Sequence, residues 1–251
     1  MDLMQTPVDL TKIARLSDDG SWLELQVGQY DPSDESEFVW GDTPYPLISL
    51  KGLKHPPYNK VRYISLMHSG VTQLSELEAL SSCRNLENFG IWGDNPLTEF
   101  DVTVLRECKH MKGFNLSNSR IDTFDFSIVQ SWPALEEFEF NYNRVQTVDL
   151  TPFAHHPLLK SFSLFANQVA ELDISPLFTC PNLTRIYLHS HIGYDVPVTL
   201  KTVIVPNPPP HPLNRFLRIL IPSVTEYTGD PDHYHRVITN NRDVVTFSST
   251  N

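Results

Sequence analysis

Apolar residues recur in one fixed order along the middle of the chain. From Leu135 onward they occupy the first, fourth, sixth and eleventh places of a frame whose ninth place is asparagine, and the same frame begins again at Leu159. Six frames follow one another at spacings of 25, 25, 24, 24 and 24 residues, and they start at Val61, Leu86, Met111, Leu135, Leu159 and Leu183. A fixed period of this length predicts stacked copies of one strand-containing unit, because a single unit is too small to bury its own apolar side.

The second half of each unit is equally regular. Four aspartates recur at steps of 24 residues, each two residues before a Thr or Ser: Asp101, Asp125, Asp149 and Asp173. Pro152 and Pro176 follow two of these hydroxyl residues, which predicts a hydroxyl N-cap at the start of a short helix or 3₁₀ segment. We expect the carboxylates to accept hydrogen bonds from backbone N–H groups of the same turn. Four aligned catalytic carboxylates are the alternative, but a turn position repeats with the unit and an active site does not.

These positions resemble the leucine-rich-repeat superfamily, in its 24-residue class. The resemblance covers residues 61–188, and the run from Leu172 to Leu183 is similar to microbial members of that class. Ser69 and Ser119 stand in the asparagine place, and the second unit is irregular. Phenylalanine replaces leucine at four frame positions: Phe89, Phe114, Phe138 and Phe162.

This resemblance implies a fold and a kind of function. The fold is α/β: a leucine-rich-repeat solenoid with a curved parallel β-sheet on the concave face, short helices or 3₁₀ turns on the convex face, and irregular caps at both ends. Members of the superfamily are mostly protein-interaction scaffolds, so the resemblance implies binding rather than catalysis, and it names no partner.

The repeats and their flanks predict three regions. Residues 1–60 do not follow the frame and are predicted to be an N-terminal cap, residues 61–205 form the repeat region, and residues 206–251 form a proline-rich crossing and a C-terminal cap. As an alternative, the first region is an added recognition element with Trp40 and Tyr45 in contact with a partner.

Three flanking segments carry strand-like patterns. Alternation predicts a strand over residues 22–27, and Leu200–Val205 is a candidate seventh strand of the repeat sheet. Residues 235–247 read as two strands around the turn at Asn240 and Asn241, that is, a β-hairpin. The proline run at residues 206–212 is predicted to be a rigid extended spacer, with a ligand for an aromatic-lined groove as the alternative.

Charge and cysteine usage narrow the class of partner. The 251 residues contain 19 Lys and Arg against 30 Asp and Glu, a net charge of −11. This balance disfavours nucleic acid and anionic membranes, both of which need a basic surface. The residues from Met1 to Pro7 lack the features of a signal peptide, and the chain lacks an apolar run long enough to span a bilayer, so we expect a cytoplasmic protein.

One repeat column holds all three cysteines, Cys83, Cys108 and Cys180. Trp132 and His156 fill the same place in the two intervening units. A column in stacked repeats faces inward, so we expect small buried thiols rather than metal ligands. The odd number of cysteines favours a reducing compartment.

The predicted concave face is the candidate functional site. Side chains alternate along a strand, so the residues between the buried positions face away from the core and are not needed for folding. Aromatic, amide and carboxylate side chains occur there, a composition typical of binding surfaces. The predicted partner-binding residues are Trp92, Asn115, Glu137, Glu139, Asn141, Tyr142, Phe165, Tyr187 and His189. Three glycines beside Trp92 predict a shallow dip that accepts a partner side chain: Gly90, Gly93 and Gly113.

Catalytic motifs are weak by comparison. His233, His235 and Asp232 are the densest group of candidate metal ligands, and they support a less favoured hypothesis of a metal-dependent hydrolase. We predict no catalytic residue, no metal, no cofactor and no small-molecule substrate. The leading hypothesis is a non-catalytic module that binds a protein or peptide on its concave face. The alternative is an effector or neutralising protein that inhibits a partner enzyme through the same face.

Overall fold

The fold is described from a computed structural model of the chain. It describes residues 6–26, 29–31, 34–39, 45–188, 200, 202–204, 218–220, 226–228 and 247–248. The chain divides into two compact units, Met1–Phe124 and Asp125–Asn251.

The first unit contains short strands, one short α-helix and four 3₁₀ helices. Its strands are β1 (Val8–Asp9), β2 (Arg15–Leu16), β3 (Trp22–Gln26), β4 (Gln29–Asp31), β5 (Asp34–Val39), β6 (Leu47–Ser49), β7 (Tyr63–Met67), β8 (Gln73–Ser75), β9 (Asn88–Trp92) and β10 (Gly113–Leu116). Its helices are α1 (Leu10–Ile13) and the 3₁₀ segments η1 (Lys51–Lys54), η2 (Tyr58–Lys60), η3 (Leu77–Ser82) and η4 (Val102–Leu105).

Parallel pairing organises the first unit. The main sheet has the order β2–β3–β7–β9–β10, and only the short β2 runs antiparallel to its neighbour. Equivalent frame positions pair in register, so Ile64 lies opposite Phe89 and Phe89 opposite Phe114. A second parallel sheet has the order β1–β6–β8, and β4 pairs with β5. Because β3 pairs with β7 in parallel, the sheet of repeats begins inside the predicted cap at residues 1–60.

The second unit repeats the same pattern. Its strands are β11 (Glu137–Glu139), β12 (Ser161–Ser163), β13 (Glu171–Asp173), β14 (Arg185–Tyr187), β15 (Thr202–Ile204), β16 (Arg218–Leu220), β17 (Glu226–Thr228) and β18 (Phe247–Ser248). Its 3₁₀ segments are η5 (Phe126–Ser131), η6 (Thr151–Phe153) and η7 (Ser175–Thr179). The strands form two parallel sheets, β11–β12–β14–β16 and β13–β15–β17–β18.

Two predictions for the C-terminal region have different outcomes. The prediction of a further strand in Leu200–Val205 is confirmed by β15 (Thr202–Ile204), but this strand pairs with β13 in the second sheet, and β16 takes the place beside β14. The turn of the predicted hairpin at Asn240 and Asn241 lies outside the described residues. The described helices lack the length and apolar character that a bilayer span requires.

Phenylalanines at the fourth frame position form the centre of each core. Phe89 and Phe114 stack with ring centroids 6.1 Å apart and planes at 19°, and Phe138 and Phe162 stack at 5.8 Å and 8°. In the second unit Phe153, from a 3₁₀ segment, packs edge-on against Phe138 at 5.1 Å. The in-register pairing brings equivalent side chains face to face, so the substitution of Phe for Leu produces an aromatic stack.

A buried asparagine at the end of β9 forms hydrogen bonds to the backbone of two successive repeats. Asn95 is fully buried, and its Oδ1 accepts hydrogen bonds from the N–H groups of Ser69 (3.1 Å) and Val71 (3.0 Å). Its Nδ2 donates to backbone carbonyls of its own and the preceding turn: Leu66 (3.2 Å), Trp92 (3.0 Å) and Gly93 (2.7 Å). In the second unit, the Nδ2 of Asn167 likewise donates to two backbone carbonyls, those of Phe140 and Leu164. One amide thus satisfies backbone groups that water cannot reach.

The aspartate column caps the 3₁₀ segments, as predicted. Each carboxylate accepts a hydrogen bond from the N–H two residues later, at 2.8–3.0 Å: Asp101 to Thr103, Asp125 to Ser127, Asp149 to Thr151, and Asp173 to Ser175. The expectation of a hydroxyl N-cap is wrong, because Thr151 and Ser175 are already the first residues of their 3₁₀ segments. Asp101 and Asp125 are themselves the N-caps of η4 and η5. Asp149 and Asp173 stand one residue before the N-caps of η6 and η7 and accept from the first N–H of each segment.

The cysteine column is buried, and its cysteines are free thiols. The Sγ of Cys108 donates to the carbonyl of Cys83 (3.5 Å), and that of Cys180 to the carbonyl of Phe153 (3.1 Å). Burial raises the pKa of Cys83 and Cys108 to about 12 and that of Cys180 to about 11. These thiols stay protonated at neutral pH, so they fill the core and bond the preceding turn rather than act as nucleophiles.

We predict that Asn95→Ala lowers the free energy of unfolding by about 2–4 kcal/mol, because it leaves several buried backbone groups without partners. Urea unfolding followed by circular dichroism measures the change. Thr98→Ala, at an exposed position on the same turn, serves as the control and is expected to stay within about 0.5 kcal/mol of the wild type. Equal stability of the two variants would contradict the structural role of the asparagine.

We also predict that acid weakens the first unit through Glu87. The Glu87 carboxylate bonds Arg62 Nε at 2.6 Å and Lys112 Nζ at 2.8 Å, and these bonds, with Arg62 first, lower its pKa from 4.5 to about 2. A lowered pKa gives stability that is complete above pH 4.5 and lost as the pH falls towards 2.

The test is urea unfolding at several pH values between 7 and 2.5. In Glu87→Gln we expect a smaller loss of stability below pH 4.5 than in the wild type. Glu99→Gln, at an exposed position, is the matched control and should keep the wild-type pH dependence. Parallel curves for the wild type and Glu87→Gln would show that these ion pairs do not stabilise the fold.

Candidate functional site

The strand face is the side of each main sheet that carries the residues between the buried frame positions. In the first unit, β7 and β9 alternate strictly, with Ile64, Leu66, Phe89 and Ile91 buried and their neighbours partly exposed. The partly exposed neighbours on β7 and β9 are Tyr63, Ser65, Met67, Asn88, Gly90 and Trp92. Asn115 lies on the same face of β10, where it is also partly exposed.

Trp22 and Tyr63 form an aromatic pair at the first strands of this face. They are direct neighbours on β3 and β7, and their rings stack with centroids 5.1 Å apart and planes at 19°. The Arg62 guanidinium carbon lies 5.5 Å from the centroid of the Tyr63 ring. Trp22 keeps 45% of its surface exposed, which is a high value for a tryptophan. The core therefore does not need this side chain.

The glycine dip predicted beside Trp92 is filled by the chain itself. A Cβ at Gly90 would meet the Trp92 ring at 3.4 Å, so the indole lies over that glycine. A Cβ at Gly93 would overlap the His68 imidazole, and one at Gly113 would overlap the Asn88 amide. The prediction of an open dip is therefore wrong, because each glycine makes room for a neighbouring side chain of the same unit.

On the second unit, charged groups dominate the strand face. Arg185 Nη2 bonds Glu137 Oε1 at 3.2 Å, although their strands are separated by β12. The arginine side chain therefore crosses over β12, whose Ser161 is only 5% exposed. Glu139 is partly buried beside them, and burial, followed by the Glu137 charge, raises its pKa, which the Arg185 charge partly offsets.

Two predicted contact residues belong to the core. Phe165 is 6% exposed and Asn141 is 5% exposed, so the expectation that folding does not need the Phe165 side chain is wrong. Asn141 Oδ1 accepts hydrogen bonds from Ser163 Oγ (2.7 Å) and from the Phe165 N–H (3.1 Å). The cause is strand length: β11 and β12 end at Glu139 and Ser163, two residues before the predicted position, so alternation no longer holds there.

A column of left-handed residues follows the strands. Four described residues that are not glycine have positive φ at this position: His68 (47°), Asn118 (55°), Tyr142 (53°) and Ala166 (59°). Gly93 occupies the same place with φ of 66°. The column forms the bend that leads from the strand into the rest of the unit. Tyr142 is thus displayed from a bend, and it meets Phe165 edge-on at 5.1 Å.

The predicted site residues separate into three groups. Trp92 and Asn115 lie on the strand face of the first unit, and Glu137, Glu139 and Tyr187 on that of the second, with Tyr142 at the adjoining bend. Asn141 and Phe165 support the turn from within. His189 and the candidate metal ligands His233, His235 and Asp232 lie outside the described residues. Within the described residues, no cluster of three or more His, Cys, Asp or Glu is placed to hold a metal.

Trp22 was not predicted from the sequence to be a surface residue of the repeat sheet. Leu23 and Leu25 match the buried Ile64 and Leu66 of the next strand, which is a usable signal. The distance between the two pairs is 41 residues rather than 24, so the match was hidden by the intervening segment.

We predict that Phe165→Ala lowers the free energy of unfolding by about 3 kcal/mol, because it removes a buried ring and leaves a cavity. Tyr187→Ala, which removes a partly exposed ring from β14, is the matched control with an expected cost of about 1 kcal/mol. Urea unfolding of both variants measures the difference. If the Tyr187 variant were the less stable of the two, the assignment of Phe165 to the core and Tyr187 to the surface would be incorrect.

The chain is similar to known proteins in its structure and not in its sequence. No family model matches the sequence, and no curated protein matches it. The structure is similar to TLR13 in its complex with the single-stranded RNA ssRNA13, with a TM-score of 0.55 and 12% identity over 81% of this chain and 28% of that one. It is also similar to Drosophila Toll in its complex with Spatzle, with a TM-score of 0.52 and 15% identity over 68% of this chain and 22% of that one.

A third similar structure is the leucine-rich-repeat domain of APL1, with a TM-score of 0.51 and 12% identity over 83% of this chain and 51% of that domain. The chain thus spans between about a fifth and a half of the length of these three proteins. Together with the parallel strands and 3₁₀ segments described above, this similarity confirms the predicted fold: the chain is an α/β protein with the leucine-rich-repeat fold.

Proposed function

We propose that this chain is a non-catalytic interaction module that binds a protein or peptide on its strand face, the face expected to be concave. The observation that carries the proposal is the pattern of exposure on that face. Large aromatic side chains are left partly exposed at positions whose immediate neighbours along the strand are fully buried, as Tyr187 is beside Ile186. Exposed aromatics that the core does not use are typical of binding surfaces.

The contact residues that we propose are the predicted ones that remain on the surface. They are Trp92 and Asn115 in the first unit, and Glu137, Glu139, Tyr142 and Tyr187 in the second. Trp22, Tyr63 and Met67 join the first set because they share its strand face. Asn141 and Phe165 act indirectly, since they fix the turn that displays Tyr142.

Charge supports a protein partner over a nucleic acid. A surface that binds the phosphate backbone needs many Lys and Arg side chains, and this chain carries a net charge of −11. The fold does not decide the matter, because Toll is in complex with Spatzle and TLR13 with RNA. The net charge, together with the mixture of aromatic and carboxylate side chains in each unit, favours a protein partner.

The experiment is affinity capture from the native lysate with three forms of the protein. We expect the wild type to retain a protein that the Trp92→Ala/Tyr187→Ala variant loses, because both changes remove exposed rings from the strand face. Leu158→Ala is the control, since Leu158 is also a large apolar residue, is 41% exposed, and lies outside the strands. Circular dichroism first establishes that both variants are folded.

The captured protein is then purified, and its dissociation constant is measured with each form. We expect the strand-face variant to bind at least about tenfold more weakly, the loss of two contacts worth about 1 kcal/mol each. Equal binding by all three forms would move the site away from the strand face. Loss of binding in the Leu158 variant alone would assign it to the side that carries the 3₁₀ segments.

A further inference from the structure

A surface pocket opens beside the first strand of the main sheet. It encloses about 430 Å³ and is lined by Arg15, Ser17, Asp18, Trp22 and Glu24. This volume exceeds that of any single amino-acid side chain, and it lies within the range of small-ligand sites. The pocket belongs to β2 and β3 and the turn between them, so one short hairpin supplies all five residues.

The aromatic wall of the pocket is held in place. Tyr63 stacks on one face of the Trp22 indole from β7, whereas Arg15 lines the pocket from β2, on the opposite side of β3, and Ser17 lines it from the following turn. The other face of the indole is therefore turned to the pocket. The Trp22 backbone N–H also donates to Ser17 Oγ at 2.9 Å, which ties the Trp22 backbone to the turn.

Internal hydrogen bonds make the turn itself rigid. Asp19 Oδ1 accepts from Ser17 Oγ at 2.6 Å and from the Ser21 N–H at 3.0 Å. Gly20 supplies the left-handed conformation with φ of 69°, and its N–H donates to the Ser17 carbonyl at 2.9 Å. Asp18 is thus held at the pocket by a preorganised turn, which reduces the entropy that a ligand would have to remove.

The pocket has an excess of negative charge. Asp18 and Glu24 bring two carboxylates, and Arg15, which lies opposite Glu24 in the β2–β3 pair, brings one guanidinium. Neither carboxylate forms an ion pair with another described residue of the chain. A cation that enters would therefore meet the π face of an indole and two carboxylates that form no ion pair with the described residues. An anion would meet one guanidinium and two like charges, so the net charge of the described lining disfavours it.

We propose that this pocket binds an arginine side chain of a protein partner. The planar guanidinium can stack on the indole face while its N–H groups donate to the Glu24 and Asp18 carboxylates. Arginine combines flat stacking with directed hydrogen bonds, whereas the lysine ammonium is a compact, strongly hydrated charge. The inference extends the proposed binding function by naming a side chain that the surface recognises, and it rests on residues outside the set predicted from the sequence.

The test uses a small probe in place of the unidentified partner. N-acetyl-arginine amide is titrated into the ¹⁵N-labelled full chain, and the indole N–H signals of its four tryptophans are followed by NMR. Trp22→Phe identifies the Trp22 signal. We expect a saturable shift of that signal with a dissociation constant on the order of 1–10 mM, as suits a single side chain. N-acetyl-citrulline amide, the neutral isostere, should give a shift at least about fivefold weaker in affinity.

Variants of the charged pocket residues test whether the carboxylates bind the guanidinium. Glu24→Gln and Asp18→Asn should each weaken arginine binding about threefold to fivefold, and Arg15→Gln should strengthen it by a similar factor, because it removes a like charge. Equal affinity for arginine and citrulline, no saturable shift up to 50 mM probe (about five times the weakest constant expected), or weaker binding by Arg15→Gln would each overturn the proposal. Since no partner protein takes part, failure here leaves the capture result untouched, and failure of the capture experiment leaves this result untouched.

Discussion

The backbone turn that follows the strands β7, β9, β10, β11 and β12 is the constraint on which the structure depends. The chain bends there with a left-handed residue, and backbone N–H and C=O groups beside the bend are buried. Asn95 resolves this in the first unit by accepting from two N–H groups and donating to three carbonyls while fully buried. Because three of its partners, Leu66, Ser69 and Val71, belong to the preceding repeat, the same amide also sets how one repeat registers on the next.

Where a serine replaces the asparagine, the buried backbone groups of the bend still need hydrogen-bond partners, but different groups supply them. Ser69 is fully buried, and its hydroxyl donates towards the carbonyls of Leu25 and Met67. Ser119 donates to the carbonyl of Asn95. A hydroxyl provides one donor where an amide provides two, so Ser69 can satisfy fewer carbonyls than Asn95 does. The N–H groups of Ser69 and Val71 have a separate partner, because both donate to Asn95 Oδ1 of the next repeat.

Much of the fold could be predicted because the residues that build it repeat with it. The aspartate caps, the buried cysteines and the strand positions are columns of like residues, and a column is visible in one sequence. The residues that escaped prediction each broke the period: Asn95 follows a one-residue insertion, and Trp22 lies 41 residues before its neighbour Tyr63. At Phe165 the period held, but β12 ended at Ser163, and periodicity carries no information on where a strand stops.

This contrast also explains where binding specificity can reside in such a chain. A column that serves the fold must stay buried and fill the space between neighbouring repeats, as the stacked rings of Phe89 and Phe114 do. Strand-face columns carry no such demand, so β7 can hold Tyr63 where β9 holds Asn88. The pocket at Trp22 depends on such a residue, because the Tyr63 ring of the strand face stacks on the indole. The binding that we propose therefore uses residues that the stacking of the repeats does not need, on a frame that this stacking holds in place.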